Sequence, residues 1–129
     1  MRFVLGLLIS IAACSSRTDP STAAGSGASE PALEKDPVLA RRLIGEGATV
    51  LDVRTPEEFA EGHVDRAVNI PVEDLAGRMA EVSKLARKDQ PIVVYCASGH
   101  RAGKARRELL SAGYVQVVNG GGIGDVKSP

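Results

Sequence analysis

The sequence predicts an α/β domain in which a mostly parallel central sheet carries helices on both faces. Three observations lead there. Short β-branched runs alternate with stretches of helical spacing between residues 36 and 129. The run Ile92-Val93-Val94-Tyr95 lacks polar alternation, as a strand buried on both faces requires. Val72, Leu75, Met79, Val82 and Leu85 recur every three or four residues through an otherwise charged segment, the pattern of a helix lying on a sheet.

Composition divides the 129-residue chain before that domain begins. Met1-Arg2 and the apolar run Phe3 to Ala13 have the basic start and short apolar core of a secretory signal, assigned to residues 1–13. As a helix this run would rise only ~16 Å against a hydrocarbon core of ~30 Å, too little for an ordinary span. It ends in Ile11-Ala12-Ala13-Cys14, which resembles the bacterial lipobox. Cys14 is therefore expected to carry lipid, tying an exported product to a bacterial membrane on the side facing the periplasm or cell exterior. Residues 14–35 are mostly Ser, Thr, Ala, Gly and Pro, with Leu33 the one large aliphatic side chain, so they read as a flexible linker. Residues 36–129 remain for one folded domain.

Within the domain, Asp36 and Pro37 form an N-cap and a first-turn proline; Leu39, Leu43 and Ile44 continue the helix to Gly45 and Gly47. Thr49 to Val53 reads as a strand. Thr55-Pro56-Glu57-Glu58 places a capping-box threonine three residues before a glutamate, opening a short helix with Phe59 as its apolar anchor and Gly62 as its end. Arg66 to Ile70 is a second strand, residues 72–85 the amphipathic helix, and Ile92 to Tyr95 the central strand. Ala102 to Ala112 is helical with Gly113 as C-cap, and Val115 to Val118 is the last strand. The glycines at 120–122 and 124 read as a turn or tail: Asp125 breaks the dinucleotide-binding pattern.

Sixteen basic and sixteen acidic side chains cancel, and four aromatics without Trp offer no stacking platform, so nucleic acid is excluded as a partner. Two distant cysteines and two scattered histidines make neither a disulfide framework nor a metal site; no metal or organic cofactor is expected.

The chemistry is expected at Cys96. Ligands of open α/β sheets sit at the carboxyl ends of strands, and Cys96 follows the central strand directly. Ala97, Ser98, Gly99, His100 and Arg101 connect it to a helix; none is proline, so each supplies a backbone N–H, and Gly99 lets the donors curl around the sulfur. The helix start and Arg101 add positive charge that favours a reactive thiolate and a small bound anion. Lys104, Arg106 and Arg107 add a general positive field. His63 reads as a hydrogen-bonded fold residue. His100 is expected to face substrate or solvent rather than act as base for Cys96.

Three segments in order and spacing carry a resemblance: Asp52-Val53-Arg54-Thr55-Pro56-Glu57-Glu58-Phe59 with Gly62-His63-Val64, then Ala67-Val68-Asn69-Ile70-Pro71, and Cys96-Ala97-Ser98-Gly99-His100-Arg101. Together they resemble a single-domain rhodanese, a thiosulfate sulfurtransferase, and the small exported build is similar to periplasmic phage-shock-type rhodaneses. The resemblance implies a three-layer rhodanese-like fold. It implies that Cys96 attacks a small sulfur-containing anion, becomes a persulfide and passes the sulfane sulfur to a thiol or cyanide. It makes Ala97, Ser98, Gly99, His100 and Arg101 the cradle, and Asp52 and Arg54 scaffold near the site. The chain departs from many relatives in lacking a Trp after the glycines; Ile123-Gly124-Asp125-Val126 follows instead. Two alternatives accompany this reading: a low-turnover persulfide-carrying or protein-binding module, and a cysteine phosphatase. Related phosphatases have five residues between Cys and Arg, against four here.

Overall fold

The computed structural model describes residues 34–127. The signal, Cys14 and all but the last two linker residues lie outside the described residues. Four parallel strands form one sheet in the order β2-β1-β3-β4: β1 Thr49–Asp52, β2 Val68–Asn69, β3 Ile92–Cys96 and β4 Val117–Gly122. The helices are α1 Pro37–Gly45, α2 Pro56–Glu61, α3 Met79–Leu85, α4 His100–Ser111 and α5 Ile123–Lys127.

Alternation along the strands sorts side chains into two cores. Val50, Val93, Tyr95 and Val118 meet Ala40 and Leu43 of α1 and Val126 of α5. Leu51, Ile92, Val94, Cys96 and Val117 point the other way, to Val82 of α3 and Ala102, Ala105 and Leu109 of α4. Every residue of β3 is buried, which explains its unbroken apolar run. Each aliphatic side chain buried this way contributes about 1.5–3 kcal/mol. The three-layer α/β fold predicted from the sequence is the fold found.

Several boundaries differ from the sequence expectation, each for a local reason. Lys35, placed in the linker, forms a parallel bridge with Asn119. β2 shrinks to two residues because Arg66 takes a left-handed turn at φ 63°. The amphipathic helix over 72–85 starts late: the Val72 amide donates to Val53 O (3.1 Å), and a 3-10 turn at Leu75–Arg78 precedes α3. α4 begins at His100 rather than Ala102, which makes His100 and Arg101 first-turn helical residues.

The largest correction concerns β4. Val115 is exposed outside the strand, and the glycines read as a turn or tail are its buried second half. Close approach explains them. A β-carbon on Gly120 would lie 2.4 Å from Val126 Cγ1, and one on Gly122 would lie 2.5 Å from Ala97 O. A short α5 then follows where no helix was expected.

Candidate active site

β3 delivers Cys96 to the carboxyl end of the sheet with its side chain fully buried. The Gly99 amide donates to Cys96 Sγ across 2.9 Å. That bond needs a sharp reversal between strand and helix, which Gly99 makes at φ 97° as the N-cap of α4. A side chain could not replace its hydrogen: a β-carbon there would lie 2.6 Å from Lys35 Cε and 3.0 Å from Gly121 Cα. Ala97, Ser98 and His100 are exposed around the buried sulfur. Above it the first turn of α4 supplies amides without intrahelical acceptors and the positive end of a twelve-residue helix.

Arg101 leaves this loop sideways. Its guanidinium makes a two-pronged bond to Glu58, Nη1 to Oε2 at 2.8 Å and Nη2 to Oε1 at 3.0 Å. Glu58 is itself fixed: Thr55 N–H donates to its Oε2, and the Glu58 amide donates to Thr55 Oγ1, completing the capping box of α2. The guanidinium is thus a brace between α4 and α2 whose charge Glu58 largely balances. Bonding to Glu58 raises the Arg101 pKa.

The bond to Arg101, reinforced by Thr55, holds the Glu58 carboxyl down to about 2. An unfolded Glu titrates near ~4.3, so the pair stabilises the fold fully above that pH and loses its contribution as pH falls through about 2. Both side chains are about a third exposed, which limits the effect to less than about 1 kcal/mol. Glu58→Gln should therefore lower unfolding stability at pH 7 by up to that amount and by only a small fraction of it at pH 2. Urea unfolding at the two pH values checks this.

Asp52 and Arg54 sit behind the loop, both buried. Arg54 Nη2 bonds Asp52 Oδ2 at 2.6 Å and Gly62 O at 2.7 Å, and its Nε reaches Asp52 as well. The pairing with Asp52 raises the Arg54 pKa. Tyr95, the residue before the nucleophile candidate, donates its hydroxyl to Asp52 Oδ2 at 2.8 Å and accepts from Val64 N–H at 3.0 Å. Burial pushes the Tyr95 hydroxyl pKa up. The knot ties the end of β1, the segment from Gly62 to Val64, and β3 into one block beside Cys96. His63 stacks on Phe59 (ring centroids 3.8 Å) and bonds Phe59 O through Nδ1, so it is engaged with α2. Arg106, read only as part of a cationic field, donates from Nε to Val117 O and braces β4.

Two participants escaped the sequence reading. Glu58 was legible as a cap, but its partner Arg101 lies 43 residues away with no periodic signal. Asn119 is buried, donates from Nδ2 to Gly99 O at 2.9 Å and accepts from Gly121 N–H on Oδ1 at 2.9 Å. The sole hint was a polar residue heading the glycine run after an apolar strand.

Comparison with known proteins places this fold and loop in a family. The chain is 37% identical over 79 residues to the thiosulfate sulfurtransferase PspE of Escherichia coli, covering 61% of this chain and 74% of that one. It is 40% identical over 103 residues to thiosulfate sulfurtransferase 18 of Arabidopsis thaliana, covering 72% of this chain and 76% of the relative. It spans about half the length of other curated relatives that it matches. A solved rhodanese with anions from E. coli superposes with a TM-score of 0.58 at 35% identity, over 64% of this chain and 95% of that structure. The rhodanese-like domain family model matches residues 36–123, more than half of the chain and the whole span from α1 through β4, and the chain therefore belongs to the rhodanese-like domain family.

Proposed function

We propose that the chain is a sulfurtransferase that moves sulfane sulfur from thiosulfate, or from a persulfide or polysulfide, to cyanide or a thiol through a persulfide on Cys96. The observation that carries this is the Gly99 N–H donated to the buried Cys96 sulfur beneath the start of α4. A thiolate there attacks the outer sulfur of thiosulfate; the new S–S bond forms on Cys96 as the old one breaks, and sulfite leaves with the electron pair. Cyanide carbon then attacks the outer sulfur, the Cys96 S–S electrons return to Sγ, and thiocyanate departs. The first-turn amides of α4 suit the oxygens of the incoming anion, since oriented N–H groups stabilise developing negative charge without reorganising. Arg101 supports this reading as a brace for the loop.

The test is a steady-state assay of thiosulfate against cyanide, run beside hydrolysis of a small aryl phosphate. Thiocyanate formation with negligible phosphate release is the expected result. Robust phosphatase activity without sulfur transfer would overturn the reading, and stoichiometric sulfur loading with no turnover would favour a carrier module.

The proposal includes a membrane tether through lipid on Cys14, which rests on the lipobox-like Ile11-Ala12-Ala13-Cys14. Cys14→Ala should abolish palmitate labelling and move the protein out of the membrane fraction; equal labelling of both forms would contradict it.

A further inference from the structure

We infer that Asn119 is a positioning residue for the Cys96 sulfur, acting through a clamp on two glycines that meet face to face. This rests on the reading of Cys96 as nucleophile, and nothing in the sequence motifs assigns it. The clamp begins with a mismatch in the sheet. Val94 pairs with Asn119 while Cys96 pairs with Gly122, so β4 spends one more residue than β3 over this stretch. Such a bulge leaves ladder groups to be satisfied by something else.

The Asn119 side chain takes up those groups. Its Oδ1 accepts from Gly121 N–H inside the bulge, and its Nδ2 donates to Gly99 O across the gap to the loop. Gly99 O also accepts from Gly103 N–H at 3.0 Å, so this carbonyl is held along the helix by α4 and from the sheet by Asn119. Gly99 and Gly121 are both left-handed, at φ 97° and 90°, and so close that a β-carbon on Gly99 would lie 3.0 Å from Gly121 Cα. One amide thus fastens both partners of the contact.

Gly99 is fixed at its two ends by different groups. Its C=O is fastened by Asn119 and Gly103, while its N–H points at Cys96 Sγ. With the carbonyl held, the left-handed turn directs the N–H toward sulfur; released on the sheet side, the turn can rotate and the N–H drifts. Asn119 is itself seated, because its own carbonyl accepts from Asp36 N–H at 2.8 Å.

Asn119→Ala removes the clamp, and Asn119→Asp keeps the acceptor for Gly121 while losing the donor to Gly99. Both should lower kcat for sulfur transfer about tenfold or more with little change in KM for thiosulfate, as misplacing one group at a reacting centre does. Nitrogen-15 NMR supplies a readout that needs no turnover. In the wild-type protein the Gly99 amide and Asn119 side-chain amide protons should exchange slowly with solvent, and in both variants the Gly99 signal should shift and exchange at least about tenfold faster. If either variant fails to fold, slow exchange of the Asn119 amide protons in the wild type still decides: fast exchange there overturns the clamp. So does a folded Asn119→Ala with unchanged Gly99 exchange. A wild type that transfers no sulfur, yet whose Gly99 amide responds to Asn119→Ala, would refute the proposed function and leave the clamp standing.

Discussion

Cys96→Ser should fold normally and lose sulfur transfer by at least about a thousandfold, since removing the nucleophile leaves only binding and amide donors. The swap replaces a buried sulfur by a slightly smaller oxygen. Gly99 N–H can still donate to it, so the N-cap of α4 keeps its geometry and unfolding stability should stay within about 1–1.5 kcal/mol of wild type. The separation of rate from stability is the informative part. Serine oxygen cannot hold a sulfane sulfur, whereas a role confined to packing would leave turnover nearly intact. Circular-dichroism melting beside thiocyanate production measures both; near-wild-type turnover in the folded variant would remove Cys96 from the reaction.

Asp52→Ala should produce the largest loss of stability, about 3–5 kcal/mol, because it leaves a buried guanidinium without its counter-charge. Asp52 is fully buried and Arg54 nearly so, and Asp52 also accepts from the Arg54 amide and the Tyr95 hydroxyl. Its removal therefore strips several donors at once. Tyr95→Phe deletes only the hydroxyl that bridges Asp52 and the Val64 amide, and should cost about 1–3 kcal/mol. Urea unfolding of the two variants gives the comparison. An Asp52→Ala protein within about 1 kcal/mol of wild type would show that the knot is not what ties β1 to β3 beside the site.

What could be read from the sequence follows the range of the interactions. β3 was legible because full burial imposes an unbroken apolar run, and the caps of α1 and α2 because Asp36 and Thr55 act within three residues of themselves. The nucleophile candidate was legible because strand end, glycine and helix start are contiguous. The Val72 amide was not, since its commitment to Val53 replaces a helical bond with one across 19 residues. The glycines of β4 misled for a related reason. Glycine usually marks a turn, but at 120 it is required by Val126, brought back onto the strand by a helix that was not expected, and at 122 by the Ala97 carbonyl, 25 residues away in sequence. Asn119 and Glu58 belong to the same class: their partners Gly99 and Arg101 are set by topology, and local pattern holds no record of them.

The central claim is that sulfur passes through Cys96 itself, and a mass measurement reaches it directly. Protein treated with thiosulfate, freed of excess donor and digested under non-reducing conditions should yield a Cys96 peptide heavier by one sulfur atom. Cyanide added before digestion should return that peptide to its original mass with one thiocyanate released per chain. An unmodified Cys96 peptide in protein that nevertheless turns thiosulfate and cyanide into thiocyanate would contradict the account.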